Sequence, residues 1–347
     1  MRAKQSQPTI EHVAREAGVS QTTVSYVLSG SRYASKINPN TCRRVIAAAR
    51  RLGYRHNALA VALKRGYTDT VVLLSVSWVL AIGNADTTAA LTRAAASKGI
   101  STIVHVASDD AEAVAFLETI PSLKPFGLVI LWDSDAVTTM RLLELAADGL
   151  PVLDLLPSVR PDIPSISADR VHGFGAAARH LLELGHRRIG VIIDTTTRWR
   201  TSTFKLAGYR TALEAAGIEY DGSLVEEIPG CEFENGYEGL KTLLRRRPDV
   251  SAVVCMNDPV AIGAIAAAQD AGLAVPERLS VVGFGAHKEG CYIRPRLTSV
   301  AGDFQEITRL AIQELVKMRK EESYLPESRY LPMRLEVRES TGPPPAA

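Results

Sequence analysis

Acidic residues are almost missing from the start of this chain: the first 66 positions hold only Glu11 and Glu16 against twelve lysines and arginines, a local charge of +10. All 347 residues sum to +2, so the remainder carries −8. That asymmetry argues against a plain solvated hairpin and fits a segment that neutralises phosphates, with an acidic body kept off them. Cysteine is scarce as well. Cys42, Cys231, Cys255 and Cys291 show neither metal nor disulfide spacing, which excludes a disulfide-stapled scaffold and suits a reducing compartment. No run approaches the roughly 18 apolar residues needed to cross a membrane, and the first twenty residues lack the apolar centre of a leader. The expectation is a cytoplasmic chain, neither secreted nor membrane-embedded. The seven histidines are scattered without a nucleophile or metal constellation, so no catalytic residue, metal or cofactor is expected. The one string resembling a phosphate loop, Gly173-Phe174-Gly175-Ala176-Ala177-Ala178, lacks a strand and turn immediately before it.

What is present begins at Thr9. Ile10, Val13, Ala14 and Ala17 share one face of a 3.6-residue period, Gly18 supplies a left-handed stop, and Ser20 can cap a second helix carrying Val24, Val27 and Leu28. The two helices meet at an angle, with Val19 in the corner and Gln21, Thr22, Ser25 and Tyr26 on the outer face. A third helix is read after the Asn38 cap and Pro39, with an apolar stripe of Val45, Ile46, Ala49 and Leu52 ending at Gly53. This is a helix-turn-helix with a polar outer face. Asn57 then opens a short apolar run to Leu63, two turns that are too few to be stable alone and that need a partner to fold.

These residues carry a resemblance. The V-A-x-x-A-G-V-S-x-x-T-V-S block at 13–25, N-P-x-T at 38–41, L-G-Y at 52–54, and Asn57, Ala60 and Leu63 together resemble the head of the LacI/GalR (lactose/galactose repressor) family. The resemblance implies a transcriptional repressor, binding a pseudo-palindromic double-stranded DNA operator as a homodimer and modulated by a small-molecule effector. It also implies that paired hinge helices enter the minor groove, with Leu63 wedging a base step and Ala60 small enough for close approach. Gln21 and Thr22 match the family's specificity positions. Tyr26 stands where family members commonly carry arginine, which leaves the base preference there open. Ser20, Ser25, Asn38 and Thr41 are expected to position phosphates.

From residue 69 the pattern changes to alternating strands and helices. Strands are read at 71–76, 102–106, 128–131 and 152–155, then at 189–193, 224–228, 252–255 and 281–284, a βα repeat written twice. The fold class predicted is a small all-α helix-turn-helix head plus an α/β core of two doubly wound parallel-sheet subdomains, periplasmic-binding-protein-like, with a ligand cleft at the facing strand ends. The boundaries predicted are 8–56 for the head, 57–66 for the hinge, 67–341 for the core and 342–347 for a frayed tail. Within the core, 67–168 with 297–325 forms the first subdomain and 169–294 with 328–341 the second. H-L-L-E-L-G-H-R-R-I-G at 180–190, L-A-G-Y-R-T-A-L at 206–213, V-V-G-F at 281–284 and L-T-S-V at 297–300 are similar to the family's core.

The candidate cleft residues are Trp78, Trp132, Arg198, Arg200, Thr203, Asn257 and Asp258, the last read chiefly as a helix cap before Pro259. Against the family pattern, Leu156 stands where the fourth strand's aspartate is expected, Thr203 where an arginine precedes the helix block, and Gly285 where V-G-F-D has its carboxylate. Losing these groups predicts an effector other than a conventionally bound monosaccharide. A solute-binding protein would share the core, but it would need a secretion signal and no basic head.

Overall fold

The computed structural model describes residues 8–28, 33–54, 62–63, 65–76, 84–133, 135–157, 160, 162–194, 200–321 and 323–345. The chain divides into two compact units, Met1–Thr68 and Asp69–Ala347.

In the first unit, α1 (Ile10–Ala17), α2 (Gln21–Leu28) and α3 (Pro39–Leu52) enclose a small core of Val13, Ala14, Ala17, Val24, Val45, Ala48 and Ala49. The punctuation works as read. Gly18 and Gly53 take the left-handed conformation that ends α1 and α3, and Asn38 caps α3 by accepting the Asn40 N–H at 2.8 Å. One stripe residue differs: Ile46 is 39% exposed, and Ala48 takes the inner face in its place. Its period neighbours Val45 and Ala49 already fill the narrow seam against α1 and α2.

The second unit contains two lobes. In the first, β1 (Thr70–Val76), β2 (Ser101–Ala107), β3 (Gly127–Leu131) and β4 (Val152–Asp154) form a parallel sheet in the order β2-β1-β3-β4. Around it lie α4 (Asn84–Ala96), α5 (Asp110–Leu117), α6 (Ile120–Leu123) and α7 (Ala136–Ala147). The strand Gly-Leu-Val-Ile-Leu of β3 is buried along its whole length, as a central strand covered on both faces must be.

The chain then crosses through β5 (Ile166–Ala168) into α8 (Arg170–Glu183), β6 (Ile189–Ile193), α9 (Arg200–Ala215), β7 (Val225–Glu227), α10 (Phe233–Arg246), β8 (Ala252–Cys255), α11 (Asp258–Asp270), β9 (Ser280–Phe284) and β10 (Thr298–Ala301). It returns to the first lobe in α12 (Phe304–Lys320) and ends with β11 (Arg329–Leu331) and β12 (Arg334–Glu336). The second sheet has the order β12-β10-β9-β8-β6-β7, parallel except for β12.

Three expectations are corrected here. The strand at 297–300 does not belong to the first subdomain: β10 pairs with β9, and the crossing follows it, just before α12. The segment 328–341, assigned whole to the second subdomain, holds two short strands, with β11 on β5 between the lobes and β12 on β10. The tail is not frayed through Pro345. Buried Ser340 donates to the Val281 carbonyl at 2.6 Å, and the Gly342 carbonyl accepts from Ser280 Oγ at 3.1 Å and lies 2.9 Å from His186 Nε2.

Candidate nucleic-acid interface and effector cleft

The outer face of α2 carries the predicted reading residues. Gln21 and Thr22 are exposed in its first turn, Ser25 is half-buried, and Tyr26 is 36% exposed with its ring 5.2 Å from that of Tyr33. Ser20 Oγ accepts the Thr23 N–H at 3.1 Å, so this hydroxyl caps the helix that displays them. Thr41 is half-buried in α3 and Asn38 is exposed at its cap. The head's two carboxylates are both matched, Glu11 by Arg15 at 3.1 Å and Glu16 by Arg51 at 3.0 Å. Pairs this exposed add about 0–1 kcal/mol of stability, but they leave the head no acid to offset its remaining cations. Leu63 is 80% exposed, while Asn57 and Ala60 lie outside the described residues.

In the core, the C-terminal strand ends of the two lobes converge, the position at which open parallel sheets hold ligands. Trp78 and Arg198 lie outside the described residues, as does the side chain of Arg200, the first residue of α9. Trp132 is buried against the first lobe's core, and its indole donates to Asp110 Oδ1 at 2.9 Å. Thr203 is exposed on α9.

The cap expected of Asp258 is supplied by Asn257. The cap of α11 is Asn257, whose Oδ1 accepts the Val260 N–H at 2.8 Å and whose Nδ2 donates to the Cys231 carbonyl at 2.9 Å. Asp258 is the first helical residue, 1% exposed, and its carboxylate accepts from Ser299 Oγ at 2.5 Å and from the His287 N–H at 2.6 Å. It ties β10 and the loop after β9 to the helix, so its role is architectural.

The expected loss of polar groups is also corrected. The fourth strand ends at Asp154, not at Leu156, so a strand-end carboxylate is present; it is paired with Arg160 and accepts the Leu156 N–H at 3.0 Å. Asp133 follows β3 and Asp194 follows β6, both buried. Burial raises the Asp154 carboxyl to about 6 in spite of the Arg160 guanidinium. On α9 the inward cation is Lys205. Its Nζ donates to the Met256 carbonyl at 2.8 Å and sits 4.7 Å from the centre of the Phe284 ring. Gly285 does lack a carboxylate, and its φ of 127° lies where only glycine rests easily. The lobes touch through the Thr201 N–H, which reaches Asp133 Oδ2 at 3.3 Å; an N-terminal helix N–H meets a carboxylate, a pairing the helix dipole favours.

Burial pushes the Lys205 ammonium down from 10.5 to about 7. Between these values the folded chain holds fewer protons than the unfolded one, so stability rises with pH through that window and Lys205 is most costly below pH 7. The unfolding free energy from denaturant titrations at pH 7 and pH 9 should therefore rise for the native chain by about 1 kcal/mol per pH unit more than for Lys205→Met. Equal pH dependence in the two proteins would show that the amine is not held dry.

Comparison with known proteins accounts for both halves of this geometry. Residues 9–57 match bacterial regulatory proteins of the lacI family, and residues 178–341 match the periplasmic binding protein-like domain. The catabolite control protein A of Priestia megaterium is 30% identical over 336 residues, covering 96% of this chain and 99% of that protein. The chain belongs to the LacI family of bacterial regulatory proteins. The HTH-type transcriptional repressor PurR of Proteus mirabilis (strain HI4320) is another LacI-family relative, 31% identical over 89% of each chain. The solved complex of the transcriptional regulator CelR with cellobiose is 28% identical, with a TM-score of 0.73 over 96% of this chain and 99% of that one. The lac repressor dimer bound to operator and an anti-inducer shares the fold, with a TM-score of 0.83 at 24% identity over 97% of this chain and 100% of that one.

As a LacI-family protein the chain is a DNA-binding regulator of transcription and not an enzyme. Its glycine string agrees: Gly173 and Gly175 lie buried within α8 rather than in a loop before it. Sequence reading missed Asp133, Asp154, Asp194 and Lys205. Lys205 left a signal, since it lies four residues before the fully buried Tyr209 and therefore on the same inner stripe of α9.

Proposed function

We propose that this regulator is a homodimeric repressor that reads a pseudo-palindromic operator and responds to a small polar ligand held between its lobes. The observation that carries the DNA half is the exposure of Gln21 and Thr22 in the first turn of a capped helix, on a head of charge +10. Glutamine offers an adenine edge both a donor and an acceptor, threonine offers a thymine methyl its own, and Tyr26 braced by Tyr33 adds one hydroxyl and an apolar ring. Ser20 and Ser25, at and within α2, and Asn38 and Thr41, at the start of α3, would position phosphates. Asn57, Ala60 and Leu63 would then fold against the minor groove of the paired half-sites.

Support for the ligand half comes from Asp133, Asp194 and Lys205 at the facing strand ends, groups that accept from and donate to hydroxyls. With Gly285 bare and Asp154 already engaged by Arg160, a monosaccharide would not be held through those two positions. Effector and operator affinities must then be linked in both directions. Selection of DNA from a random pool tests the reading. Gln21→Ala should relax base preference at one position per half-site, by about 5- to 150-fold in discrimination. An unchanged selected motif would remove Gln21 from the reading face.

A further inference from the structure

Two polar groups on the inner stripe of α9 have more hydrogen-bonding capacity than the protein fills. Ser202, Lys205 and Tyr209 recur at helical spacing and are all buried, at 1%, 6% and 0% exposure. Tyr209 is satisfied, its hydroxyl donating to the Ile189 carbonyl at 2.8 Å. Ser202 is not: its Oγ is shut away from solvent and has no hydrogen-bond partner. Lys205 Nζ carries three protons when charged, yet among the described residues its one hydrogen bond goes to the Met256 carbonyl, and the centre of the Phe284 ring lies 4.7 Å away. Thr201, beside Ser202, touches Asp133 of the first lobe, and Lys205 touches the strand ends of the second, so both groups sit at the cleft. A buried hydroxyl without a partner and a dry amine each cost free energy, so neither is there for the sake of the fold. They offer donors one turn apart near the start of a 16-residue helix, whose dipole also favours negative charge.

We propose that Ser202 and Lys205 form the subsite for a carboxylate of the effector, which is therefore a hydroxylated acid of the sugar-acid class. This rests on the cleft being the effector site. A carboxylate brings two oxygens, one for each donor group. Its neighbouring hydroxyls fall to Asp133 and Asp194, buried just past the ends of β3 and β6. The same two aspartates make a doubly charged phosphate the costlier guest, since each adds like charge. Around the amine, Arg170 from α8 opposes its charge, and Cys231 from the loop after β7 has a thiol that burial pushes up to about 12. The ends of β8 and β9 present it with an uncharged carbonyl and ring. Burial holds the free amine at about 7, so at pH 8 it is largely uncharged; a carboxylate arriving there restores the ammonium and brings in about one proton.

The test is melting of the full chain with D-gluconate and D-glucuronate against D-glucose. At pH 7 and 10 mM, at least one of the acids should raise the melting temperature by about 2 °C or more, and D-glucose should not. Ser202→Ala removes a hydroxyl that has no partner, so it should melt at or above the native temperature while binding the acid at least about tenfold more weakly. A serine kept only for structure would give the opposite pair of results. Titration calorimetry of the native chain should show acid affinity falling by up to about tenfold per pH unit above pH 7, with proton uptake, and Lys205→Arg, charged throughout, should flatten that fall. The proposal is overturned by acid binding that Ser202→Ala leaves unchanged, by a native chain that neither acid stabilises, or by stabilisation from glucose 6-phosphate in place of both. D-glucose binding equally to the native chain and to Ser202→Ala would overturn the carboxylate while leaving a polar effector in the cleft.

Discussion

Replacing Gly263 with alanine is expected to destabilise the core by about 3 kcal/mol, at the upper end of ordinary overpacking. Gly263 in α11 faces α10 so closely that an added Cβ would sit 1.9 Å from the Phe233 carbonyl oxygen and 3.0 Å from the Tyr237 amide. Gly236 answers from α10, where a Cβ would lie 2.0 Å from the Val260 carbonyl oxygen. Both obstacles are backbone, so no rotamer change relieves the clash and the helices must separate. Separation would loosen the packing around α11, nine of whose residues are buried. For a unit of this size, a loss of that order lowers the melting temperature by about 6–12 °C. A calorimetric scan of Gly263→Ala with a transition within 2 °C of the native one would mean that the helices have slack the geometry denies.

Operator affinity should fall by at least about 1,000-fold between 50 and 200 mM salt, whereas ligand binding in the core should change little. The head gathers twelve cations and two acids, and both acids are already spent on Arg15 and Arg51. The proposed dimer would double that charge, and each phosphate neutralised releases counterions whose mixing entropy is lost as salt rises. Fluorescence anisotropy on a selected operator would give the slope; fewer than about four ions released would mean that most of these cations do not face the backbone. The contrast with the core follows from its −8 charge and from the burial of Asp133, Asp154 and Lys205, where bulk ions screen weakly.

The head was legible because short helices announce themselves locally. Gly18, Ser20, Asn38, Pro39 and Gly53 act within a few residues of where they stand, and the structure uses each of them as punctuation. Strands were legible as strands but not as members of a given sheet. An apolar run such as Thr298–Ala301 says that it is buried without saying beside what, and its partner β9 was fixed only by where the chain turned. The cleft was the least legible part. Asn257 and Asp258 both suit a cap, and only the contacts with Ser299 and His287 decide between them. Arg160 and Asp154, the latter at the end of β4 and six residues earlier, have no periodicity that would pair them in advance.

The chain crosses between its lobes three times, through β5, ahead of α12, and between α12 and β12, while a single join at 68/69 connects the two compact units. For a gene, these are unequal opportunities. One recombination at 68/69 gives an old reading head a new sensor, whereas exchanging one lobe of the sensor demands three simultaneous breaks in register. New pairings of operator and signal should therefore arise by shuffling at that join, and new ligand preferences by point changes around the strand ends.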